Sequence, residues 1–280
     1  MQEDTNDAET ILSAQKSKTA KKSAKINEKE EISELAKTVI IALLLALVIR
    51  TFLYEPFNIP SGSMLPTLKV GDYLFVSKTA YGYSRHSFPF GMASFDGRVM
   101  DGVESNKPKR GDVAVFKLPT NTSVDYIKRI VGLPGERVQV IAGRLYIDGE
   151  RVEREVVGLH QEVGSNYRNH TVTEYLETLP GGIVHRIYEV SDNENLDNTK
   201  EYIVPEGHYF MMGDNRDNSQ DSRVQSLVGY VPYENFVGRA DILFFSIDDK
   251  AKLFLPWTWF KAVRFNRIFD KISPVRPEGT

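Results

Sequence analysis

The chain has 280 residues, with 35 basic against 38 acidic side chains and a net charge of −3, so it offers no strongly basic surface to a nucleic acid. It contains no cysteine, which excludes disulfides, thiolate metal sites and a cysteine nucleophile together. A chain of this length can bury a sufficient core without such staples, as one large domain or two small ones.

Residues 1–31 are rich in Lys, Glu, Asp, Ser and Ala and nearly devoid of aromatic and branched apolar side chains. Such a segment cannot bury a core and is predicted to be a disordered tail. Eleven uninterrupted apolar residues follow, Val39 to Ile49. A bilayer span needs roughly 20 apolar residues. Ile32 to Leu35 on one side and Phe52, Leu53 and Tyr54 on the other supply the missing length, and Lys37 and Arg50 can snorkel to opposite interfaces. Residues 32–54 are therefore predicted to form one transmembrane helix. No small-x-small cleavage site follows it, so the helix is expected to stay as an anchor. Lys21, Lys22, Lys25, Lys29 and Lys37 precede or open it, and beyond Arg50 no basic residue appears until Lys69. That asymmetry predicts a cytoplasmic N-terminus and an exported remainder.

Past Tyr54 the pattern is one of short strands: Tyr73–Ser77, Val113–Lys117, Tyr126–Val131, Val138–Ile141, Leu145–Ile147, Tyr202–Val204, Tyr209–Met212 and Ile242–Phe245. Turn signals separate them, among them Leu133-Pro134-Gly135 and the hairpin dipeptide Asp148-Gly149. The expected fold is mainly β: an antiparallel, barrel-like main domain over 55–149 and 201–250, with a small β subdomain inserted at 150–200. The stretch 81–110 lacks periodicity and reads as a long loop lying on the lipid. Residues 251–280 carry both tryptophans, Trp257 and Trp259, with Lys261, Arg264 and Arg267. They form a basic amphipathic segment, either at the membrane surface or packed on the β domain.

Pro60-Ser61-Gly62-Ser63-Met64 places a hydroxyl just beyond the span, where flanking Gly and Pro let the backbone turn and present a side chain at the lip of a cleft. Ser63 is thus a candidate nucleophile acting at a bilayer surface, and it needs a base. The five histidines, His86, His160, His170, His185 and His208, fall in loops or the insert and read as surface residues. A lysine held neutral by apolar surroundings is the other option. In Tyr126-Ile127-Lys128-Arg129-Ile130, alternation puts Lys128 on one face with Tyr126 and Ile130, and Arg129 on the other. Arg129 cannot act as the base because a guanidinium keeps its proton.

The third candidate segment is Gly213-Asp214-Asn215-Arg216-Asp217-Asn218-Ser219-Gln220-Asp221-Ser222-Arg223. It could be a polar loop or a divalent-cation loop, but it lacks the glutamate spacing of a calcium loop. Its two arginines point to internal Asp–Arg pairing that would stiffen it. Ser219 would then be placed to hydrogen-bond a neighbour such as the Lys128 amine.

Ile59 to Leu68, Gly71-Asp72, Tyr126 to Gly135 and Gly213 to Arg223, in that order, together resemble bacterial signal peptidase I, the leader peptidase family. The resemblance implies a membrane-anchored Ser-Lys endopeptidase of the bacterial inner membrane, single-pass, with its catalytic domain on the periplasmic side. It would remove signal peptides from exported preproteins after small residues, without a cofactor or metal, alongside membrane lipid and the protein-export machinery. By motif, Ser63 is the nucleophile, Lys128 the general base and Ser61 the hydroxyl that joins the Ser63 amide in the oxyanion hole. Ser219 would orient the lysine, and Asp214, Asp221 and Arg223 would support the site. Some members have two membrane helices or a disulfide, which this chain lacks. Val224-Gln225-Ser226-Leu227 also replaces the aromatic-glycine pair expected after Arg223. Two other readings weighed against this one are a self-cleaving Ser-Lys repressor, which would carry a helix-turn-helix in place of the span, and a non-enzymatic, membrane-tethered β module for binding, which would not need both Ser63 and Lys128.

Overall fold

The computed structural model describes residues 31–88, 95, 97–99, 107–163, 169–248 and 262–272. The tail 1–30, Trp257 and Trp259 lie outside these residues, as do the side chains of residues 162, 163, 169 and 170. The chain divides into two units with the boundary after Ile49. Helix α1 (Glu31–Phe52) has 22 residues, long and apolar enough to cross a membrane. At 1.5 Å per residue it is about 33 Å long, near the thickness of the hydrocarbon layer. Its residues 31–50 are exposed.

The second unit is built of antiparallel strands. The first six are β1 (Tyr54–Asn58), β2 (Asp72–Ser77), β3 (Tyr83–Ser84), β4 (Arg98–Val99), β5 (Val113–Leu118) and β6 (Asn121–Gly132). Then come β7 (Arg137–Ile141), β8 (Arg144–Ile147), β9 (Glu150–Arg151), β10 (Glu153–Val163), β11 (Asn169–Leu179) and β12 (Ile183–Glu189). The last four are β13 (Tyr202–Ile203), β14 (His208–Met212), β15 (Val231–Pro232) and β16 (Phe236–Ser246). Seven of them form the main sheet in the order β1-β2-β16-β5-β6-β14-β15. The order is open, so the barrel-like expectation becomes a sheet whose outer strands do not pair with one another.

Strand β6 extends beyond Tyr126–Val131 at both ends, with its first five residues exposed and its last five buried. β16 outruns its apolar core in the same way: from Phe236 it pairs first with β5 and then, from Arg239 on, with β2. Gly238 sits at that crossing, where an added Cβ would collide with the Ser77 carbonyl and lie 2.8 Å from Val76 Cγ1. Asp148 and Gly149 both have positive φ and close the β8–β9 hairpin as their sequence predicts. Ala142 and Gly143 do the same between β7 and β8, a turn that alanine does not advertise.

Among the described residues three clusters form the core. One packs Leu74, Val76, Val113, Val115, Ala240 and Leu243 against Ile59, Met64 and Leu68. Met64 and Leu68 bracket the turn that begins at Ser63, and burial of each side chain stabilises by about 1.5–3 kcal/mol, which seats that turn on the sheet. A second cluster lies around Val138, Leu145 and Phe210, and a third around Phe116, Ile130 and Phe236. Strands β10, β11 and β12 form a separate three-stranded sheet.

The 81–110 stretch is more ordered than a plain loop where it is described. Tyr81 is buried, and Arg98 donates to the carbonyls of Tyr81, Gly82, Tyr233 and Phe236 at 2.8–3.0 Å. One guanidinium thereby fastens the β3–β4 hairpin to the body of the unit. Five donors in a rigid fork make arginine suited to that task.

Candidate active site

The turn after β1 carries Ser61 and Ser63. Leu65 N donates to the Gly62 carbonyl at 3.1 Å and Leu68 N to the Met64 carbonyl at 2.9 Å, so the backbone curls and lifts Ser63 away from the sheet. Ser63 is 8% exposed, sheltered but reachable. Ser61 Oγ lies 3.4 Å from Ser63 Oγ.

Lys128, in the middle of β6, pairs in register with Ala114 of β5. Its Nζ donates to Ser63 Oγ at 2.8 Å and to the Ile127 carbonyl at 2.8 Å. The ammonium also stands 5.2 Å from the centre of the Tyr126 ring. Burial disfavours the charged amine and outweighs the opposing pull of Asp221 and Asp214, which brings its pKa down to about 8. A sizeable fraction is therefore neutral at mildly alkaline pH, the state in which a lysine can accept a proton. A cleft of about 360 Å³ opens over the pair, lined by Pro60, Ser61, Tyr126, Ile127, Asn218 and Gln220.

The segment 213–223 closes the site from β14. Asp221 accepts from Arg223 Nε at 2.9 Å, from Arg223 Nη2 at 2.9 Å and from Gly213 N at 3.0 Å. Burial would raise its carboxyl, and the Arg223 guanidinium overrides this and holds it below the usual range. An added Cβ on Gly213 would run into the Ser219 side chain and lie 2.6 Å from the Ser63 carbonyl, so only glycine fits between the two serines. Ser219 Oγ is buried and makes no hydrogen bond to Lys128. It lies close enough to Asp221 to help favour the carboxylate.

Asp214 does not pair within its own loop. It takes a two-pronged contact from Arg129, Nε to Oδ1 at 2.8 Å and Nη2 to Oδ2 at 2.6 Å, with Thr67 Oγ1 at 2.5 Å. Burial raises the Asp214 carboxyl and Arg129 more than reverses it. Lys128 and Arg129 thus serve opposite faces of one strand, the first toward Ser63 and the second toward the loop that flanks it.

Ser61 and Ser63 are brought into one cleft with Lys128, 65 positions beyond Ser63, with Ser219, Asp221 and Arg223 on the segment that flanks it and Asp214 paired with Arg129. Sequence reasoning missed Asn215, whose N donates to the Ser63 carbonyl at 3.1 Å and whose Nδ2 donates to the Gly62 carbonyl at 3.1 Å. An asparagine inside a polar loop gives no local sign of that reach. His185 was read as a surface residue and is instead buried, with Nε2 3.3 Å from Glu177 Oε2 and 4.0 Å from Asp214 Oδ1. The cause is alternation along β12, which turns His185 and Ile187 inward. The departure at Val224–Leu227 is a tight turn in which the Val224 carbonyl accepts from Leu227, Val228 and Gly229 N at 3.0–3.3 Å.

Residues 32–245 match the model of the family described as signal peptidase, peptidase S26. Signal peptidase I of Rickettsia conorii (strain ATCC VR-613 / Malish 7) is 40% identical over 262 residues, covering 87% of this chain and 93% of the relative. Signal peptidase I of Rickettsia typhi (strain ATCC VR-144 / Wilmington) is 40% identical over 249 residues, covering 82% and 90%. That of Rickettsia massiliae (strain Mtu5) is 38% identical over 268 residues, covering 88% and 97%. The crystal structure of a signal peptidase I from Enterococcus faecalis V583 aligns with 48% of this chain and 96% of its own, at 30% identity and a TM-score of 0.30. A match over 214 residues (32 to 245), together with relatives aligned along nearly their whole length, means that the chain belongs to the signal peptidase family, peptidase S26, and is a serine peptidase.

Proposed function

We propose that the protein removes N-terminal signal peptides from exported preproteins after small residues, with Ser63 as nucleophile and Lys128 as general base. The observation that carries this reading is the 2.8 Å contact between Lys128 Nζ and Ser63 Oγ, made by a lysine whose pKa burial has lowered to about 8.

The neutral amine takes the Ser63 proton as Oγ attacks the scissile carbonyl. The oxyanion that forms is met by the Ser63 N–H and the Ser61 hydroxyl, which lies 3.4 Å from Ser63 Oγ. Collapse of the adduct transfers the proton from Lys128 to the leaving amine and leaves the signal peptide as an ester on Ser63. Water, deprotonated by Lys128, then hydrolyses that ester and regenerates both groups. Asp214, Asp221 and Arg223 act at one remove, keeping their charges paired so that Lys128 faces no fixed carboxylate at contact distance. Ser219 stands beside Gly213 and helps to favour the Asp221 carboxylate.

From Asn121 to Lys128, β6 pairs with β5 on one side, and on its other side it joins β14 only from Arg129 onward. An extended substrate would add along that free edge, with main-chain hydrogen bonds for affinity and the cleft beside Tyr126 and Ile127 for a small side chain. Helix α1 would anchor the enzyme in the bacterial inner membrane in a single pass. The lysines before it support a cytoplasmic N-terminus and a catalytic unit on the periplasmic side. Membrane lipid and the export machinery are the neighbours this arrangement implies. The test is cleavage of a purified preprotein by the full chain in detergent. Release of the signal peptide by the wild type and not by Ser63→Ala is the expected result, and equal release by both would overturn the assignment.

A further inference from the structure

The loop Asp214–Asp217 is held from two sides. On one side Asn215 donates to the carbonyls of Ser63 and Gly62. On the other lies the three-stranded sheet: Tyr188 N donates to the Asp214 carbonyl at 2.8 Å, and Val190 N donates to Asp217 Oδ2 at 2.7 Å. Between these two contacts Arg216 forks onto Glu177 of β11, Nη1 to Oε1 at 2.8 Å with Nη2 on Oε2. Both residues are 2% exposed. His185, directly across from Glu177 in the β11–β12 register, completes the buried cluster.

The 3₁₀ turn Arg216–Asn218 has no side-chain cap, so local hydrogen bonding does not fix its orientation. The Arg216 carbonyl accepts from Arg223 Nη2 at 2.5 Å, which ties the turn to the Asp221–Arg223 pair behind Lys128. A buried ion pair is a weak source of net stability, because desolvation offsets most of its attraction, but it specifies one arrangement over its neighbours. Here the arrangement specified is the seat of Asn215 against the Ser63 turn.

We propose that Glu177, contributed by the separate three-stranded sheet, is a positioning residue of the active site that acts through Arg216 and Asn215 to hold Ser63 against Lys128. The sheet would then be a working part of the catalytic apparatus in addition to any role in substrate choice. This inference rests on the Ser63–Lys128 reading. It extends that reading to a residue outside the family motifs noted in the sequence.

The test measures kcat and KM of the full chain in detergent on a purified preprotein, for Glu177→Gln and for the double variant Glu177→Met with Arg216→Met. The double variant removes both charges with similar volume, a replacement that buried pairs often tolerate without loss of stability. Exposed Glu153→Gln on β10 is the control, and melting curves report the folded fraction. Displacing a reacting group by about 1 Å can cost roughly 100-fold, so kcat per folded molecule should fall by about that factor in both variants while KM stays nearly constant. The acid limb of the pH profile should move as well, because, of the carboxylates that act on Lys128, Asp214 sits on the loop Glu177 holds and Asp221 is tied to it through Arg223. Wild-type kcat and an unmoved pH profile in a folded double variant would overturn the proposal, whatever Glu177→Gln does. Ser63→Ala is run alongside: its inactivity together with full activity of the double variant sinks only the role of Glu177, whereas its retained activity sinks the dyad itself.

Discussion

Lys128 Nζ donates to Ser63 Oγ at 2.8 Å across 65 positions of sequence, and the lysine is 3% exposed. The proposed nucleophile and base are therefore in contact before any substrate arrives.

Ser63→Ala should abolish cleavage and leave melting nearly unchanged, since it deletes one sheltered hydroxyl and opens little space. Ser61→Ala should be milder, because loss of one oxyanion donor costs about 100- to 1,000-fold in turnover. Turnover numbers for the two variants, measured on one preprotein, check the assignment. Equal losses would indicate that the two serines have exchanged roles.

Lys128→Arg should be inactive although charge and length are nearly kept, since a guanidinium does not release its proton. In the wild type, activity should climb with pH through about 8, as the buried amine becomes neutral. A pH profile of kcat/KM between pH 6 and 10 reads this directly. A flat profile would exclude Lys128 as the base.

The same burial makes Lys128 costly to the fold. Its pKa is about 8 in the fold against 10.5 in the unfolded chain, which corresponds to about 3 kcal/mol. The sign follows from proton counts: between those values the unfolded chain binds the proton more readily, so stability rises with pH across that window and carries the full penalty below it. Lys128→Met should accordingly be inactive yet more stable at pH 7 by about 1–3 kcal/mol, a trade of function for stability. Urea melts of both proteins at pH 7 check it, and a less stable variant would refute it.

Asp214→Ala leaves Arg129 buried without its counter-charge, and breaking such a pair costs about 3–5 kcal/mol. Because Asp214 and Asp221 are held below the usual carboxylate range, their contribution is present above about pH 4 and is lost as pH falls through the folded values. His185 adds an earlier loss. Burial lowers its pKa, with Arg129 adding to the effect, so stability declines as pH drops below the ordinary histidine value near 6.5. Acid melts of the wild type should show a first decline near that value, and His185→Gln should remove it.

Protease added outside intact spheroplasts should digest the unit after Tyr54 and spare the lysine-rich tail. Immunoblots against an N-terminal tag check the orientation, and loss of the tag under those conditions would reverse it.

Much of this could be read from residues alone, because the signals are local. A 22-residue apolar helix, β alternation around Lys128 and the Asp148-Gly149 turn each depend on neighbours within a few positions. The alternation of β6 also separated Lys128 from Arg129, with one residue for each face. What alternation cannot supply is the partner on that face. Arg129 meets Asp214 from 85 positions away, and Arg216 meets Glu177 from 39, through strand registers that no short pattern encodes. The sequence suggested pairing inside the 213–223 loop, which holds for Asp221 and Arg223 and fails for Asp214 and Arg216. Lys128 donates to Ser63 and the Ile127 carbonyl and leaves Ser219 without a bond to the amine. Composition likewise marked 150–200 as a polar β insert, but it gave no sign that strands of 7–11 residues there would bury His185 and Glu177. Polar side chains can line a buried face when charges are matched across strands, and only the register of β11 on β12, and of both on the loop, decides which charges those are.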